Sequence, residues 1–64
     1  MRRLLITDLD GTEIGAILEQ EDGTLQGEGK GRSLLEQAPG KTFEDWLEAD
    51  HHSKYLHYTE QTAA

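Results

Sequence analysis

The sequence predicts an α+β fold: a small antiparallel β-meander of three strands, a fourth strand at the C-terminus, and one short and one longer amphipathic helix packed on one face. Three observations carry this expectation. Two alternating apolar runs, Leu4 to Thr7 and Ile14 to Glu19, are separated by Asp10-Gly11. Period two is the strand repeat, and Asp-Gly is a strong hairpin signal, because glycine takes positive φ at no steric cost and aspartate bonds its own local backbone. A second Asp-Gly, Asp22-Gly23, precedes Thr24-Leu25-Gln26. Beyond Thr42, Phe43, Trp46, Leu47 and Ala49 cover one arc of a helical wheel, with Glu44, Asp45 and Glu48 opposite.

Taken in order, strand one spans Arg2 to Thr7 and strand two Glu13 to Gln20. Leu4 and Ile6 share a face of the first, with Leu5 opposed. Ile14, Ala16 and Leu18 share a face of the second, with Ile17 opposed. Helices on one side of the sheet then leave Leu5 and Ile17 on the outer face, where two adjacent aliphatics form a small contact patch for a partner or a second copy. The third strand, Thr24 to Gln26, is weaker, with only Leu25 to pack. Gly27-Glu28-Gly29-Lys30-Gly31-Arg32-Ser33 reads as an irregular connector. Its glycines, Lys30 and Arg32 could admit an anion, but the spacing fits neither phosphate-binding fingerprint. Ser33 is the expected N-cap of a short helix to Ala38, closed by Pro39-Gly40. Thr42 caps the longer helix, with Asp45 in the capping-box position and Glu44 and Asp45 where the helix dipole favours acids. Trp46 is the expected core anchor. Asp50 falls inside the apolar arc, and a lone buried carboxylate is costly, so the helix should end there. Tyr55 to Thr59 alternate and are rich in β-formers, which favours a last strand beside strand one over a continuing helix. Glu60 to Ala64 are expected to fray.

Composition narrows function. A chain of 64 residues without cysteine builds at most one small domain, with no disulfide or Cys-based zinc site. Thirteen acids against six bases leave a net charge of −7. That charge disfavours direct nucleic-acid binding and anionic membranes, and suits a larger basic protein partner. No apolar run approaches the roughly 18 residues of a membrane span, so a cytoplasmic protein is expected. His51, His52 and His57 lie close in sequence beside Asp50, but adjacent histidines on one element diverge, and no metal or cofactor is assigned.

The motif nearest to chemistry is Asp8-Leu9-Asp10-Gly11-Thr12. It resembles motif I of the haloacid dehalogenase-like phosphatases, in which a hydrophobic strand ends in Asp-x-Asp-Gly-Thr. The resemblance implies Asp8 as nucleophile, Asp10 as general acid/base and both as Mg²⁺ neighbours. It covers about a dozen residues, and the large α/β domain that supplies the family's remaining groups is absent. The hairpin turn is the preferred reading, and no catalytic residue is assigned.

The function expected from sequence is therefore a non-catalytic protein-binding module, a regulator or inhibitor. It would contact its partner through Glu44, Asp45, Glu48, Trp46, Tyr55 and Tyr58, with Leu5 and Ile17 as a further patch; aromatic anchors ringed by charge supply much of the energy of small interfaces. A sharper form is a nucleic-acid mimic of the phage or defence kind. The alternatives are a structural subunit of a homo-oligomer or phage-type assembly, and a metal-dependent phosphoesterase using Asp8 and Asp10.

Overall fold

A computed structural model describes residues 2–61. Strands β1 (Arg2–Asp8), β2 (Glu13–Glu19) and β3 (Leu25–Gly29) lead into helices α1 (Lys30–Gln37) and α2 (Phe43–Ala49), and β4 (Leu56–Gln61) closes the order. The four strands form one sheet in the order β3-β2-β1-β4, every neighbour antiparallel. The chain thus builds a meander outward to β3, crosses one face of the sheet with both helices, and returns to the opposite edge.

Both Asp-Gly pairs turn the chain, and they do so identically. Asp8 N–H donates to the Thr12 carbonyl at 3.0 Å and Gly11 N–H to the Asp8 carbonyl at 3.1 Å. Gln20 and Thr24 repeat the closure at 2.8 Å, with Gly23 bonded back to Gln20. Each loop is the three-residue type that needs a left-handed residue at its end, and Gly11 (φ 86°) and Gly23 (φ 88°) supply it.

The faces of β2 differ from expectation. Leu4 pairs with Ile17 and Ile6 with Gly15, but Thr7 pairs with Glu13, so Ile14 is an extra residue in a bulge. One added residue inverts every side chain on one side of it relative to the other. Ile17 therefore joins Leu4 and Ile6 in the core, all three fully buried, and is no part of an outer contact patch. Leu5 faces the open side across from Ala16. Ala16 is only 1% exposed there. The Arg3–Glu13 ion pair, 2.9 Å, joins residues that flank the Leu5–Ala16 pair.

The Gly27–Ser33 stretch is likewise not a loose connector. Strand β3 continues to Gly29 and α1 begins at Lys30, so Gly29 is the N-cap and Ser33 lies inside the helix. The reason is a glycine seam. A Cβ on Gly27 would lie 2.5 Å from the Arg32 nitrogen, one on Gly15 would lie 2.6 Å from the Lys30 nitrogen, and one on Gly31 would overlap the Ala16 carbonyl oxygen. Backbone rests on backbone, and α1 lies flat over β2 and β3.

Helix α2 matches its expected design. Thr42 Oγ1 accepts from Asp45 N–H at 3.2 Å, and Asp45 Oδ2 accepts from Thr42 N–H at 2.9 Å. Phe43 and Trp46 complete the core with Leu4, Ile6, Ile17 and Tyr58. The Trp46 and Tyr58 rings meet at 6.1 Å between centroids, tilted by 46°. Strand β4 lies beside β1 as expected, but it includes Glu60 and Gln61, which pair with Leu4 and Arg3 and do not fray. The remainder of the expected frayed tail, 62–64, lies outside the described residues.

Candidate binding surface

The Asp8–Thr12 motif is a working turn. One carboxylate oxygen of Asp8, Oδ1, accepts the backbone N–H of Asp10 at 2.9 Å and of Thr12 at 3.0 Å. The side chain that the phosphatase resemblance makes a nucleophile is hydrogen-bonded to its own loop, while Asp10 is exposed beside it.

The acids of α2 are largely committed within the molecule. Arg2 Nε and Nη2 meet both oxygens of Glu60 at 2.9 and 3.2 Å, and Nη1 meets Glu44 Oε1 at 2.5 Å. The guanidinium also lies 4.2 Å from the centre of the Phe43 ring. The hydrogen bond from Arg2 is the main cause that holds both the Glu60 and Glu44 carboxyls below their ordinary range, and the same carboxylates, Glu60 first, raise the Arg2 pKa further. The capping box, led by the Thr42 backbone N–H, lowers Asp45 in the same way. Of the expected acidic stripe, Glu48 alone is exposed with neither an ion pair nor a side-chain hydrogen bond among the described residues, since Glu44 is held by Arg2 and Asp45 by the capping box.

The expected aromatic cluster is divided. Trp46 and Tyr58 are core residues, and burial pushes the Tyr58 phenol above its usual range, with Asp50 adding to the rise. The Trp46 indole N–H is buried with no hydrogen-bond partner among the described residues. Tyr55 is the opposite case, 75% exposed. Leu9, in the first hairpin loop, is 61% exposed. Asp8 pairs with Leu56 at the end of the β1–β4 ladder, so Leu9 and Tyr55 are the next residues beyond that pair and share one end of the sheet.

Asp50 has a role that its place in the apolar arc did not reveal. As the C-cap of α2 it turns its Oδ1 to the Tyr58 N–H at 3.0 Å, and Ser53 Oγ accepts the Leu56 N–H at 3.0 Å. These two N–H groups face away from β1, on the outer edge of β4. The loop after α2 therefore supplies acceptors where another strand would otherwise pair. His57 Nδ1 lies 3.4 Å from the same Asp50 oxygen, while His51 and His52 are exposed. Among the described residues no cluster of three or more His, Cys, Asp or Glu side chains is arranged to hold a metal.

The β3 edge is built differently. No side chain among the described residues bonds to its outer backbone groups. Beside it runs a groove in two parts, of about 370 and about 510 Å³, that share Leu25 and Leu35. Lys41 lines one part and Arg32 the other.

Compared with protein-family models, with curated proteins and with solved structures, the chain finds no match. No helix among the described residues is long and apolar enough to cross a membrane.

Proposed function

We propose that this protein is a small, acidic, non-catalytic protein-binding module that acts in the cytoplasm as a regulator or inhibitor of a larger, basic protein. One observation carries the proposal: Leu9 and Tyr55, the two large apolar side chains left exposed among the described residues, lie at the same end of the sheet beside the exposed Asp10. Exposed aromatic and aliphatic side chains set among acids are what a basic surface with an apolar pocket recognises. The net charge of −7 adds long-range attraction to such a partner. The hydrogen bonding of Asp8 within its own loop favours this reading over phosphoryl transfer.

The test is native mass spectrometry of the protein captured from its own cells at low salt, alongside a Leu9→Ser/Tyr55→Ser variant whose circular dichroism and melting match the parent. The expected result is a stoichiometric complex with a basic protein that dissociates as salt rises and is missing from the variant. A complex that persists in the variant, or the recovery of bare protein only, would overturn the proposal.

A further inference from the structure

We propose that the outer edge of β3, with the groove it shares with α1, binds an extended acidic peptide by strand addition. The surface is separate from the Leu9/Tyr55 end: β3 and β4 are opposite edges of the sheet. Three features make it a peptide site.

The first is the contrast between the edges. On β4 the outward N–H groups of Leu56 and Tyr58 are occupied by Ser53 and Asp50. On β3, no described side chain takes that place, and the strand holds no proline, lysine or bulge. An edge with unpaired backbone groups is a template for an incoming strand.

The second is the floor beside it. The glycine seam lays α1 directly on β2 and β3, leaving Leu25 and Leu35, both half-buried, as an apolar strip next to the edge. In an added strand every second side chain points to this side of the sheet, and those side chains would rest on Leu25 and Leu35.

The third is charge. Arg2 and Arg3 are both in ion pairs. Arg32 and Lys41 are in none among the described residues, and they line the two halves of the groove. One acid, Glu36, shares the Arg32 half, so the pair of cations outweighs it. A protein with net charge −7 that keeps Arg32 and Lys41 out of ion pairs beside its open edge, the Lys41 Nζ resting 4.6 Å from the centre of the Trp46 ring, is complementary there to carboxylates. At physiological salt the acids elsewhere on the surface are screened beyond about 8 Å.

The experiment uses an acetylated, amidated octapeptide of alternating valine and glutamate, titrated into the labelled full chain and followed by amide NMR. Shifts are expected to concentrate on residues 25–29 and on Arg32, Leu35 and Lys41. Arg32→Glu/Lys41→Glu should weaken binding about tenfold or more, and Arg32→Glu alone should weaken it less, with folding verified by circular dichroism in each. N-methylation of alternate backbone amides in the peptide should abolish binding, and Leu9→Ser/Tyr55→Ser should leave it unchanged. The proposal is overturned if the peptide does not bind, if a valine–lysine peptide binds equally well, if N-methylation has no effect, or if this edge instead joins two copies of the chain.

Discussion

The two helices lie on the same face of the same sheet and are held by opposite means. Helix α2 is held by side chains: a capping box at its start, Phe43 and Trp46 driven into the core, and Glu44 tied to Arg2. Helix α1 has no side-chain cap and buries only Gly31 completely. It is held chiefly by the absence of side chains at Gly15, Gly27 and Gly31, which lets its backbone touch the strands below, with Leu34 and Leu35 half-buried against the core. A side-chain anchorage loses stability in proportion to what is removed. A backbone anchorage is broken by the smallest addition.

The largest effect should come from truncating the α2 anchor. Trp46→Ala is expected to cost about 3–5 kcal/mol, which in so small a domain leaves mostly unfolded chain by circular dichroism. A folded, only slightly weakened variant would mean that the core does not depend on α2. The converse experiment adds a methyl group to α1. Gly31→Ala should improve helix propensity by about 1 kcal/mol yet destabilise by about 2–3 kcal/mol overall, because the new Cβ overlaps a backbone carbonyl that cannot move aside. Urea unfolding that shows a neutral or stabilised Gly31→Ala would mean that α1 is not anchored through its backbone.

Smaller substitutions separate the starts of the two helices. Thr42→Ala should lose about 1 kcal/mol with the capping box, while Ser33→Ala, at the position where a cap was expected, should stay within about 0.5 kcal/mol of the parent. Equal losses at both positions would mean that Ser33 also supports its helix. The smallest effect concerns pH. Glu44, Asp45 and Glu60 have carboxyls below their ordinary values in the folded protein. Their stabilisation is complete above the unfolded values near about 4 and is lost as pH falls through the lowered folded values. The urea midpoint should therefore drop in that acid range. In Arg2→Met the drop should be shallower, since the part of the Glu44 and Glu60 contributions that Arg2 supplies is already gone, while those of Asp45 and of Asp22, lowered by its hydrogen bonds to Thr24, remain. Identical acid profiles for parent and variant would remove Arg2 as the cause.

The candidate surfaces were only partly legible in the sequence. Of the aromatic residues that the sequence offers for contact, Tyr55 is exposed, but Trp46 and Tyr58 belong to the core. The wheel that set Glu44 and Asp45 opposite the apolar arc described their direction correctly and missed their commitments. The Arg2–Glu44 pair joins residues 42 positions apart, and no spacing rule reaches that far. Leu9 offered one available signal, a large aliphatic residue inside a turn motif, where the loop leaves it no core to enter.

Local chemistry was enough to determine both Asp-Gly hairpins, the capped start of α2 and the β character of the last segment, because each rests on bonds and dihedrals within a few neighbouring residues. The contents of the core face of β2, the start of α1 and the different protection of the two sheet edges were settled by assembly. A bulge moves Ile17 inward, a glycine seam turns a loop-like sequence into a strand and a helix, and Asp50 and Ser53 reach the backbone of a strand that follows them. These are contacts between segments brought together by folding, and their geometry exists only once the sheet has formed.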